Sequence, residues 1–163
     1  MCHTGINIRL YFSYAIMLLF CITSAHGQNN NNRIQLTANN TSFNLTNVTM
    51  IETQQVKSNA FQIVATSKSN NNFSIQAKVS SSTSSTGTPL PSSMLALRLN
   101  TVNPTVTANF NTITLSNSDQ LLQQINTTNS PVTFNYDLLA GPVGYTYGPG
   151  TYNLTVLFTM TQP

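Results

Sequence analysis

Along most of this chain apolar residues fall on alternate positions, separated by serine, threonine, asparagine and glutamine. A period of two marks β-strands with one face in a core and the other in water. Ile34, Leu36 and Ala38 form the first run. Phe43 and Leu45 form the second, which Val48 and Met50 resume one residue out of phase. Phe61, Ile63 and Ala65 follow, then Phe73, Ile75, Ala77 and Val79. Leu95, Leu97 and Leu99 alternate, as do Val106, Ala108 and Phe110. The phase changes before Ile113 and Leu115, which predicts a bulge or turn near Asn111 and Thr112. Val132, Phe134, Tyr136 and Leu138 make a clear strand. Tyr152, Leu154, Val156, Phe158 and Met160 make the longest and cleanest one.

Three stretches break this rhythm. Ser80 to Ser93 (SSSTSSTGTPLPSS) reads as a low-complexity, surface-exposed loop. Ser118 to Ile125 (SDQLLQQI) is the one helix-like piece, with Ser118 as cap of a single turn and Asp119 in the favourable first turn, too short to be more than a connecting turn. Gly141 to Gly150 (GPVGYTYGPG) is a turn cluster in which glycine and proline enforce tight bends. Eight or nine short strands almost without helix predict an all-β, antiparallel β-sandwich over residues 33–163, with a closed barrel as the alternative. Neither an internal repeat nor a second domain is visible.

The N-terminus has a different pattern. Met1 to Arg9 carries one positive charge, and Tyr11 to Ile22 (YFSYAIMLLFCI) is apolar. Ala25 and Gly27 then place small residues at the positions a signal peptidase requires, before Gln28. Residues 1–27 therefore read as a cleaved signal peptide. The apolar run is shorter than the roughly 20 residues a membrane span needs. Phe20 before Cys21 is too bulky for a lipoprotein site. Residues 28–32 (QNNNN) predict a disordered N-terminus. The expected location is periplasmic or extracellular, secreted or at the cell surface.

Composition then narrows the chemistry. Every histidine and cysteine lies within the first 26 residues. The 136 residues after the expected cleavage hold three acids, Glu52, Asp119 and Asp137, and five bases, Arg33, Lys57, Lys68, Lys78 and Arg98. With no imidazole or thiol, most general-base, thiolate and metal chemistry has no carrier. Three scattered acids neither pair as glycosidase carboxylates nor cluster as a calcium cage. The reading is of a non-enzymatic protein with no cofactor and no metal. Low charge supplies no basic stripe for nucleic acid and no polybasic segment for anionic lipid. The mature surface carries 21 Asn and 37 Ser plus Thr, so copies can approach without charge repulsion. Seven Asn-x-Ser/Thr sequons occur, at Asn39, Asn40, Asn44, Asn47, Asn72, Asn126 and Asn153, about the number such a composition produces by chance.

The segment from Leu90 (LPSSMLALRL), the stretch LSNSDQLL and the closing GPGTYNLTVLFTMTQP resemble secreted pilin-like β-sandwich proteins. That group includes spore coat protein U-type domains and archaic chaperone–usher pilus subunits. In it the domain ends in a glycine followed by a long alternating strand, as Gly150 and Tyr152 to Met160 do here, with Gly150 fourteenth from the end. Two positions differ. Many members carry a disulfide, and pilin tails place an aromatic where Gln162 stands. The resemblance implies an immunoglobulin-like fold and a structural or adhesive role as a pilus, fimbria or coat subunit. It also implies strand exchange: residues 28–38 form a candidate donor strand through Ile34, Leu36 and Ala38, and Gly150, Tyr152, Leu154, Val156, Phe158 and Met160 form the assembly strand. The partners expected are further copies or other surface proteins.

A second reading, from a different class, is a monomeric carbohydrate-binding module. Tyr145 and Tyr147 flank the Gly-rich turn, where exposed rings can stack on the sugars of a polysaccharide.

Overall fold

The structure, a computed structural model, describes residues 2–12 as backbone and residues 32–67, 72–85, 87–126 and 131–161 in full apart from the Asn32 side chain. Ten strands appear among them: β1 (Cys2–Phe12), β2 (Asn32–Ala38), β3 (Phe43–Leu45), β4 (Gln55–Ser67), β5 (Phe73–Ser84), β6 (Leu95–Asn103), β7 (Thr112–Thr114), β8 (Gln120–Ile125), β9 (Val132–Ala140) and β10 (Thr151–Thr161). They form two five-stranded sheets. One runs β3-β1-β10-β5-β8 and the other β2-β4-β9-β6-β7. All pairs are antiparallel except β1 with β3.

The alternating residues of both sheets meet in one core. Phe73, Ile75, Ala77 and Val79 of β5, and Tyr152, Leu154, Val156 and Phe158 of β10, face Phe61, Ile63 and Ala65 of β4 and Val132, Phe134 and Tyr136 of β9. Phe61 joins the layers. Its ring stacks on Tyr136 at 5.7 Å and meets Phe158 edge-on at 5.2 Å. Offset and edge-to-face aromatic contacts add to the burial of their area. The all-β sandwich read from the sequence is therefore what the chain forms, and the period-two runs named above supply its core or pack against it, apart from the exposed Val48 and Phe110.

Four local readings are corrected. Val48 to Glu52 is a short helix, α1, instead of a resumed strand; Asn47 Oδ1 accepts the Met50 N–H at 2.9 Å and caps it. Gln120–Ile125 is a strand instead of a helix-like connecting turn. Six residues gain little from helical bonds alone, whereas β5 offers them a ladder. The Leu121–Leu122 doublet that looked helical is a bulge, with Leu122 the extra residue opposite β5. Val106 to Phe110 forms no strand, and Phe110 stands 52% exposed. Its neighbour Asn109 gives both backbone groups to the buried Gln123 amide, at 2.7 and 2.8 Å, and so has none left for a sheet. Finally, the first five of the fourteen residues of the expected loop 80–93 are strand. β5 continues to Ser84 because β10 is long enough to pair with it, Tyr152 opposite Ser84. Leu90 is buried in the core, and its carbonyl accepts the Ser82 hydroxyl at 2.7 Å.

The strand that pattern reading did not supply is β1. It comes from the n-region of the expected signal peptide and lies in the middle of a sheet, between β10 and β3. The expected cleavage site at residues 23–27, and residues 28–31, lie outside the described residues; Asn32 opens β2.

Candidate functional site

The closing strand β10 has its full length paired on both sides. On one side is β5; on the other is β1, in continuous register from Cys2 opposite Met160 to Tyr11 opposite Thr151. Leu10, Ile8 and Ile6 are set opposite Tyr152, Leu154 and Val156. Residues directly opposite in an antiparallel pair share a face, so these three take register positions on the core side. Beyond β1, β3 is held to the sheet through three positions only, Leu10–Phe43, Tyr11–Asn44 and Phe12–Leu45. Tyr152, Leu154, Val156, Phe158 and Met160 of the expected assembly strand are all buried, and Gly150 lies in the bend just before it.

The candidate donor residues Ile34, Leu36 and Ala38 sit elsewhere. They lie in β2, the edge strand of the opposite sheet, with Ile34 paired to Ala65, Leu36 to Ile63 and Ala38 to Phe61. Ile34 is buried, while Leu36 and Ala38 are half-buried. The structure thus separates the two halves of the expected strand exchange: β10 is in one sheet, β2 at the rim of the other.

The turn between β9 and β10 directs its two tyrosines to different places. Gly144 has φ +60°, a left-handed conformation that glycine adopts without the Cβ penalty. Its N–H bonds the Ile51 carbonyl at 3.0 Å and ties the turn to α1. Tyr145 is 70% exposed. Desolvation, and after it the hydrogen bond and charge of the facing Glu52 carboxylate, hold its phenol above its usual pKa. Tyr147 turns the other way and rests edge-on against Tyr152, with ring centres 6.4 Å apart. The Tyr152 hydroxyl donates to the Gly148 carbonyl and closes the turn.

Beside Tyr147 opens a cleft of about 620 Å³. It is lined by Lys78 to Ser82 of β5, by Pro89 to Ser92, by Asn117 and by Tyr147. The cleft exists because β5 bulges here. Val79 pairs with Val156 and Ser81 with Thr155, which leaves Ser80 as an extra residue. The Val79 N–H turns to the Ser116 carbonyl at 2.9 Å, beyond the end of the β8 ladder. Bulges re-aim side chains and end pairing in this way.

Each acid is engaged separately. Asp119 pairs with Lys78 at 3.2 Å and Asp137 with Arg98 at 2.8 Å. Between Tyr136 and Leu138 the alternation puts Asp137 on the outward, solvated face of its strand; the structure corrects that reading, with Asp137 only 3% exposed. It accepts the Asn59 N–H at 3.0 Å and the Asn100 side-chain amide at 3.0 Å besides Arg98. Burial pushes its carboxyl up. The bonds from Arg98, Asn59 and Asn100 outweigh that, and the net shift is downward. Among the described residues no three His, Cys, Asp or Glu side chains gather where they can hold a metal ion, and no helix is long and apolar enough to cross a membrane. Searches against protein-family models, curated proteins and solved structures found no match.

Proposed function

We propose that this chain is a secreted, non-enzymatic structural or adhesive protein of the cell surface, built on an immunoglobulin-like sandwich, that assembles through its closing strand. The single observation that carries the reading is the position of β1. Residues 2–12, part of the expected leader, fill the slot between β10 and β3. Cleavage after Gly27 removes that strand from the middle of the sheet. The unpaired edge of β10 is then a template for β-augmentation, and the apolar side chains behind it lose their cover.

The occupant we assign to the vacated slot is residues 28–38 of a second copy. The two segments share a pattern. The leader strand alternates Ile6, Ile8 and Leu10 with Asn7 and Arg9; the donor alternates Ile34, Leu36 and Ala38 with Gln35 and Thr37. β2 is an edge strand, so donating it opens no sheet from within. This reading places the protein with pilus-, fimbria- or coat-like subunits in the periplasm or outside the cell.

The test uses the chain beginning at Gln28. It is expected to form ladder-like or larger species by size-exclusion chromatography and electron microscopy. A synthetic peptide of residues 2–12 is expected to enter the slot and return the protein to a monomer. Deleting Gln28 to Ala38 is expected to stop assembly. Assembly that persists in both cases rules out strand donation.

A further inference from the structure

We propose that the cleft beside Tyr147 is a saccharide-binding site that selects for a carboxylate-bearing sugar through Lys78. The proposal is independent of how copies assemble, and it divides the two tyrosines that sequence alone treats as a pair. Tyr147 lines the cleft, whereas Tyr145 faces Glu52 outside it.

The lining alternates two kinds of surface. Tyr147, Pro89 and Pro91 present apolar ring faces, while Val79 and Leu90 belong to the core. Ser80, Ser81, Ser82, Ser92 and Asn117 present hydroxyls and an amide. A pyranose ring has the same two characters, with C–H faces that pack on an aromatic or proline ring and hydroxyl edges that need hydrogen-bond partners. The volume falls in the range of small-molecule sites and admits a short oligosaccharide. Tyr147 is braced by Tyr152, itself fully buried, so little ring freedom is lost on binding. A saccharide also suits a lining rich in small hydroxyls: those of Ser80 and Ser82 donate to the Thr155 and Leu90 carbonyls and keep lone pairs that accept from a sugar.

Lys78 is the one charged residue of the lining. Its partner Asp119 lies outside the cleft, and both side chains are part-exposed, so the pair is weak and exchangeable. A sugar carboxylate offers Lys78 a second anion on the cleft side. A neutral sugar offers it none.

The experiment measures retardation of the full-length chain in affinity electrophoresis on gels containing polygalacturonate or, separately, neutral amylose. The unaltered protein is expected to be retarded on polygalacturonate more than on amylose, and less so at high salt. Tyr147→Ala is expected to weaken binding by at least about tenfold, the range that loss of one stacked ring produces. Tyr147→Phe keeps the ring and is expected to keep binding. Lys78→Met is expected to erase the preference for the acidic polymer, and because Lys78 lies outside the core this variant remains informative if Tyr147→Ala folds poorly. Tyr145→Ala is expected to bind as the parent does. No retardation of the unaltered protein on polygalacturonate overturns the proposal. So does full binding by a folded Tyr147→Ala, or an undiminished acidic preference in Lys78→Met.

Discussion

At the scale of single residues, Asp137 does the most local work. β9 lies between β4 and β6, and both neighbours bulge beside it: Ser58 to Ala60 lie between the pairs Lys57–Leu138 and Phe61–Tyr136, and Asn100 is extra in β6. Asn59 there has φ +49°, a left-handed backbone that asparagine tolerates better than most residues. Asp137 bonds residues of both bulges at once. Removing it as Asp137→Ala leaves the Asn59 N–H and the Arg98 guanidinium without their acceptor and is expected to cost about 3 kcal/mol in denaturant unfolding. The pH dependence follows from its lowered pKa. A carboxylate more acidic in the folded than in the unfolded chain stabilises the fold above the unfolded value, near pH 4. That contribution fades as pH drops below 4 towards the folded pKa. Asp137→Asn is therefore expected to flatten the acid limb of the stability–pH curve and to leave its neutral limb parallel to the parent's. Tyr136 makes the opposite case. Its buried hydroxyl has no partner in bonding geometry, and burial raises its pKa against a weaker lowering influence of Gln123. Tyr136→Phe removes a polar atom and leaves the stacked ring, so its unfolding free energy is expected to fall within about 1 kcal/mol of the parent.

At the scale of elements, side-chain amides decide where regular structure stops. Asn47 converts the residues after β3 into α1 by accepting the Met50 N–H, and Thr53 ends that helix by bonding the Thr49 carbonyl. Asn47→Ala is expected to destabilise the protein by about 1 kcal/mol in thermal unfolding, the usual worth of an N-cap. Gln123 does for 106–111 what a neighbouring strand would have done, holding Asn109 by both backbone groups. These elements were poorly legible in the sequence for one reason. Alternation reports burial, and it cannot report whether a backbone group is taken by a ladder or by a distant side chain. The long strands β4, β5, β9 and β10 were legible because each repeats its pattern over enough residues to make any other periodicity untenable.

At the scale of the whole molecule, the consequence of β1 is a difference in stability between chains with and without residues 1–27. β10 carries buried Tyr152, Leu154, Val156, Phe158 and Met160, and β1 covers one flank of that strand from end to end. A monomeric chain starting at Gln28, kept dilute to prevent assembly, is expected to melt at lower temperature than the full-length chain and to bind a hydrophobic dye. Adding the peptide of residues 2–12 is expected to reverse both. Equal melting temperatures with and without the leader would show that β1 contributes no stability. The cleft at Tyr147 lies at β5, the neighbour of β10 on the other side from β1, where Ser80 is the extra residue of a bulge.

The sequence by itself determined that the chain is all-β, since a period of two over so many short runs admits no helical packing; the two sheets of a sandwich, as against a closed barrel, came from the structure. It also determined how few ionisable groups lie beyond residue 27, because counting needs no coordinates. Only the tertiary structure decided which residues meet. Asp137 and Asn59, or Tyr147 and the serines of β5, lie dozens of positions apart, and a register between distant strands is set by packing across the core, which local pattern does not record. It likewise decided that residues 2–12, read from the sequence as part of an expected leader, complete a sheet. A strand's fitness depends on the edge it meets, and that edge, β10, lies at the other end of the chain.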